Sequence, residues 1–138
     1  MNATVKGAID DDCFAYLDVY VFNTDTYAVC KGVKAIIDTG AQDCLLKKSL
    51  ATKMGLQPVA KLKELNPVGG IMESDCYKIG LITDTENYLD TTKYAILTMA
   101  LIEEEGYPAD MILGAAFLKH CTFTYDGPNK TFELHIML

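Results

Sequence analysis

The chain has no basic stripe. Its lysines are scattered, and 19 acids against 12 bases leave a net charge of -7, which speaks against nucleic acid or an anionic membrane as a partner. No run approaches the roughly eighteen apolar residues that a membrane-spanning helix needs. The first residues, MNATVKGAIDDD, lack a basic segment followed by an apolar one, so a cytoplasmic location is expected. The five cysteines, Cys13, Cys30, Cys44, Cys76 and Cys121, are odd in number and without CxxC spacing. That excludes a regular disulfide framework and points to reduced thiols in the interior. Only His120 and His135 are present, without paired-ligand spacing, so neither a metal nor any other cofactor is expected. A Pro/Ser/Gly-rich linker is missing as well. The 138 residues therefore read as a single domain, residues 1–138, with residues 1–12 as a peripheral N-terminal segment.

What is present is a succession of short β-like runs bounded by turns. Cys13 to Phe22 is rich in aromatic and β-branched residues, and the turn Asn23 to Thr26 leads into a second strand from Tyr27 to about Ile37, predicting a hairpin. KKSLATKMGLQP predicts a short helix ending near Met54, with Gly55 at its C-terminus and Pro58 beyond. Further strands are expected at about Val59 to Leu65, Cys76 to Thr83 and Lys93 to Leu101, separated by polar loops. A second apolar climb, Met111 to Gly114, runs into AAFLKH, long enough for one or two helical turns. Thr122 to Tyr125, the turn DGPN and the tail TFELHIML close the chain, with Phe132, Leu134, Ile136 and Leu138 alternating onto one face. The fold class is mostly β with one or two short helices.

The stretch AIIDTGAQDCLL, Ala35 to Leu46, breaks the pattern. An apolar strand delivers Asp38 where the backbone should be entering a core, and a buried, unpaired carboxylate is costly. An acid in that place needs a partner or a task.

The motif IIDTGA followed about seventy residues later by ILGAAFL resembles the retropepsin-like aspartic proteases. The resemblance extends from about Cys13 to the C-terminus. It implies a closed β-barrel or sandwich, an aspartic endopeptidase activity on a peptide or protein substrate, most active on the acid side of neutrality, and a catalytic triplet Asp38, Thr39 and Gly40. In that family the apolar strand brings the Asp to the floor of a cleft, the Gly lets amides turn toward the carboxylate, and the Thr hydroxyl braces the loop. The resemblance also places Val68, Gly69 and Gly70 in a flap over the cleft. Ala41, Asp43 and Ile112 are further candidates for substrate contact, and Leu45, Leu46 and Ile71 are equally compatible with cleft or core.

Family chemistry needs two aspartates sharing one proton. One carboxylate draws a proton from water while the neutral carboxyl polarises the scissile carbonyl. This chain carries one such motif. At LITDTEN, Glu86 stands where Gly is required after Asp84-Thr85, so that segment reads as a polar loop. The second Asp38 is expected from a second copy in a C2 homodimer.

Two positions depart from the retroviral pattern, in which an acid after DTGA pairs with an Arg after the later Gly. Here Gln42 and Ala115 stand there. The tail TFELHIML fits either a strand interleaved between subunits or an ordinary core strand. A different class also fits the fold: a catalytically silent domain for peptide binding or self-association. A metal-dependent hydrolase built on Asp38, Asp43 and His120 is disfavoured by the missing ligand spacing.

Overall fold

The computed structural model describes residues 2–65, 71–87, 94–102 and 106–138, and for residues 62–65, 71, 72 and 87 the backbone only. The strands are β1 (Asn2–Ile9), β2 (Ala15–Asn23), β3 (Val29–Ile37), β4 (Leu45–Lys47), β5 (Ala60–Leu65), β6 (Ile71–Ile82), β7 (Tyr94–Ile102), β8 (Met111–Leu113), β9 (Cys121–Asp126) and β10 (Thr131–Met137). Two short helices, α1 (Lys48–Lys53) and α2 (Ala115–Leu118), and a single 3-10 turn at Thr85–Asn87 complete the described elements.

Six strands close on themselves. The pairing order β6-β7-β4-β8-β3-β2 returns to β6 through a second contact of β2, so these strands form a barrel without free edges. β5 extends β6 outward, and β1, β10 and β9 extend the other end of the sheet. The hairpin expected from Asn23 to Thr26 is present: β2 and β3 pair antiparallel from Ala15↔Ile37 to Phe22↔Val29, with an irregularity between Val19 and Val21. Asn23 organises its turn, accepting from the amides of Asp25 at 2.8 Å and Thr26 at 3.3 Å.

Alternation fills the interior. Val19, Val21, Ala35, Leu46, Ile79, Leu81, Met99, Met111 and Leu113 are fully buried and form one apolar cluster with Leu134 and Ile136. Burial of this kind, at about 25 cal/mol per Å2 of apolar surface, is the main force holding the fold. Helix α1 adds Leu50 and Ala51 to the cluster and ends at Met54. Gly55 follows at φ +66, a left-handed conformation that favours glycine.

Several sequence expectations are corrected. Residues 1–12 are not merely peripheral: Asn2–Ile9 is a strand that pairs with β10 over seven register positions, Asn2↔Met137 to Ala8↔Thr131. Its small and polar residues leave one face exposed and the other half-buried, which is why no hydrophobic alternation announced it. β4 is three residues long and exists because β8 and β7 flank it, one antiparallel and one parallel. β6 starts at Ile71, before Cys76. In the tail, Phe132, Leu134 and Ile136 are buried, but Leu138 lies beyond the strand and is 47% exposed. Within the chain β10 is a core strand between β1 and β9.

Candidate active site

Asp38 is the first residue after β3, and β8 runs parallel beside that strand, with Ala35↔Met111, Ile36↔Ile112 and Ile37↔Leu113 in register. The two apolar climbs read from the sequence are therefore neighbours that end together. Asp110 secures their start: its amide donates to the Lys34 carbonyl at 2.9 Å, and its carboxylate accepts the Lys34 amide at 2.9 Å. At the other end the Asp38 amide donates to the Leu113 carbonyl at 3.1 Å.

The loop after Asp38 folds back on its carboxylate. The Gly40 amide donates to Asp38 Oδ1 at 2.9 Å, and the Ala41 amide donates to the Asp38 carbonyl at 3.2 Å. A Cβ at Gly40 would lie 3.3 Å from the same Oδ1, so the missing side chain keeps that approach open. Asp38 itself is half-buried, with Thr39 and Gly40 exposed beside it.

The loop is then stitched to α2 through main-chain groups. The Ala115 amide donates to the Ala41 carbonyl at 2.8 Å, and the Ala116 amide donates to the Gln42 carbonyl at 2.9 Å. Gln42 and Ala115 thus stand at a junction that backbone hydrogen bonds hold without an acid and an arginine. Gly114 makes the junction possible. A Cβ there would collide with the Asp43 carbonyl and lie 2.7 Å from the Ala41 carbonyl oxygen.

Thr39 differs from expectation. Its hydroxyl has no hydrogen-bond partner among the described residues, so it does not brace the loop within the chain. Asp43 is half-buried in the same loop. Ile112 alternates away from Met111 and Leu113 and, like its register partner Ile36, is buried outside the main core cluster, so in the single chain it is not open to a substrate. Leu45, paired with Ile112 on the other side, is half-buried on that strip. Leu46 is fully buried and belongs to the core. Ile36 was missed because it sits inside an unbroken apolar run, where only the parallel pairing with β8 reveals which face it takes.

Val68, Gly69 and Gly70 lie outside the described residues, as do the side chains of Ile71 and Met72. Asp84 is not part of the Asp38 loop; it follows β6 and precedes the 3-10 turn. Among the described residues no group of three His, Cys, Asp or Glu side chains is placed to hold a metal ion. His120 lies just beyond α2, its amide donating to the Phe117 carbonyl at 3.1 Å.

Behind the loop two thiols are packed. Cys44 is buried, and burial raises its pKa, although the backbone of Gly114 and Phe117 pulls the other way. Cys121 is pushed up to about 11 by burial first and by neighbouring Cys44 second, and its thiol donates to the Phe117 carbonyl at 3.6 Å.

The closed barrel has a counterpart among solved structures. A retropepsin-like aspartic protease from Rickettsia conorii superposes with a TM-score of 0.61 over 99% of this chain and 92% of that one, at 17% identity. The chain has the retropepsin-like fold. The retroviral protease-like domain of Ddi1 from Leishmania major also aligns, with a TM-score of 0.46 and 19% identity over 82% of each chain. No protein-family model matches the sequence, and no curated protein matches it either. No helix among the described residues is long and apolar enough to cross a membrane.

Proposed function

We propose that the chain is an aspartic endopeptidase whose active site forms between two copies, each supplying one Asp38. The observation that carries this reading is the loop itself: an Asp at the end of a buried strand, with the Gly40 amide directed at Oδ1 at 2.9 Å and the loop fixed to β8 and α2 by main-chain hydrogen bonds. Such a loop holds a carboxylate in place at the surface, where a peptide and a water have access. Rigid positioning of this kind lowers the reorganisation needed in hydrolysis.

In the mechanism, two facing carboxyls share one proton. The ionised member takes a proton from a water between them as that water attacks the scissile carbonyl, and the protonated member donates to the carbonyl oxygen. The gem-diol intermediate then collapses, with a proton passing to the leaving amine. Thr39, exposed and unpartnered among the described residues, is available to brace a second chain. Half-buried Leu45, in register with buried Ile112 and through it with buried Ile36, is proposed as the apolar contact for substrate side chains near the loop. Asp43 is proposed as a polar contact at its edge, Ala41 as part of the loop wall, and Val68, Gly69 and Gly70 as the covering flap.

The test is Asp38→Asn. The variant keeps the size of the side chain and an acceptor for the Gly40 amide but removes the charge that activates water. Hydrolysis of a peptide library should fall by at least about a thousandfold, with the circular dichroism spectrum unchanged. Retained turnover in the purified variant overturns the reading. A dimeric wild-type sample without hydrolysis from acid to neutral pH favours the rival assignment, a retropepsin-fold domain for peptide binding or self-association.

A further inference from the structure

One edge of β2 is divided between two neighbours. β1 pairs with Ala15 and Tyr16, and β6 pairs with Tyr20 to Asn23. β1 meets β2 only at Ala8 and Ile9, so from Asn2 to Gly7 its edge opposite β10 has no strand partner among the described residues. The strands diverge around a groove of about 690 Å3, bordered by Asn2 to Asp10, Tyr16 to Asp18 and Thr83 to Glu86.

The groove has two further properties. Asp10, Asp18, Asp84 and Glu86 line it against a single base, Lys6, whose ammonium is 3.9 Å from Glu133 on β10. Thr83 lines it as well, and although only 5% exposed, its hydroxyl has no hydrogen-bond partner among the described residues. A buried hydroxyl without a partner is destabilising, and because this one is covered in the unliganded chain, a carbonyl or amide of a ligand would satisfy it only by displacing the atoms over it.

We propose that this groove binds an extended peptide segment bearing lysine or arginine side chains, added as a strand along β1. The open edge supplies main-chain donors and acceptors, as in other strand-addition sites. Alternate side chains of an added strand point to one face, and the acids of the groove select positive charge there. None of the groove residues belongs to the Asp38 loop, so binding here does not depend on peptide hydrolysis.

The experiment uses the full chain carrying Asp38→Asn, so that no peptide is cut. Fluorescence anisotropy at low salt compares a labelled peptide of alternating lysine and valine with its glutamate counterpart and with a form N-methylated at alternate amides. The lysine peptide should bind at least about tenfold more tightly than either, and raising the salt should weaken it. Asp18→Asn combined with Glu86→Gln should cost roughly tenfold in affinity. Thr83→Val should weaken binding while leaving the unliganded chain as stable or more so, which separates lost contacts from lost folding. Amide NMR shifts should cluster on β1 and Thr83 to Glu86. Equal affinity for the lysine and glutamate peptides, indifference to N-methylation, or shifts confined to the Asp38 loop overturns the proposal. So does a self-associated chain whose dimer is lost in the Asp18 and Glu86 variant, since the groove then belongs to a second copy.

Discussion

Gly114 is held by backbone neighbours, and that sets the cost of changing it. A methyl group there would meet the carbonyls of Asp43 and Ala41, and neither can swing aside as the tip of a flexible side chain would. The collision would separate the two strand ends and lengthen the hydrogen bonds from Ala115 and Ala116 that pin the loop. Gly114→Ala should destabilise the chain by about 2–3 kcal/mol, toward the upper end of overpacking effects. Urea denaturation measures it. A midpoint unchanged from wild type would show that the loop has another route to the same geometry. The sequence contains Gly114 in plain sight within ILG, but its reason is visible only when β3 and β8 are side by side.

At the scale of elements, α2 and the start of β9 enclose the two thiols behind the loop. Cys121 is pushed up to about 11, chiefly by burial and then by Cys44, and Cys44 is raised for the same first reason. A thiol is the unreactive form. At pH 8 iodoacetamide should therefore label exposed Cys13 roughly a hundredfold faster than Cys121. The linkage follows from the same shift: the folded chain holds the Cys121 proton to higher pH than the unfolded chain does. The associated stability is fully present below about pH 9 and lost as pH rises toward about 11. The stability difference between wild type and Cys121→Ala should shrink across that window. A difference that stays constant there would refute the raised value. Elements with strong signals were legible in advance: the Asn23 turn between β2 and β3, the helix ended by Gly55, and the apolar climbs to Asp38 and Gly114. β1 and β4 were not. Small and polar residues disguise the first, and the second is a strand only because β7 and β8 flank its three residues. Thr83 was equally hidden, since an orphaned hydroxyl is a property of packing that no local pattern carries.

The whole molecule closes its barrel yet carries one Asp-Thr-Gly loop. Asp84, the nearest imitation in sequence, borders the groove beside β1 and is outside that loop. On the proposed mechanism each chain is half an active site, so competence resides in the dimer and follows its population by mass action. Well below the dissociation constant, total rate should rise with about the square of protein concentration; well above it the dependence should become linear. Excess Asp38→Asn chains add a sharper test. With equal pairing preferences, a threefold excess of variant leaves only about one-sixteenth of dimers with both carboxylates, whereas independent monomers would leave one-quarter of chains active. Activity in such a mixture should therefore drop about fourfold further than dilution alone explains, once exchange is complete. Sedimentation velocity over the same concentrations supplies the dimer population for comparison. Specific activity that holds constant while sedimentation shows dimer giving way to monomer would mean that a single chain is sufficient, and the shared-carboxylate mechanism would have to be abandoned.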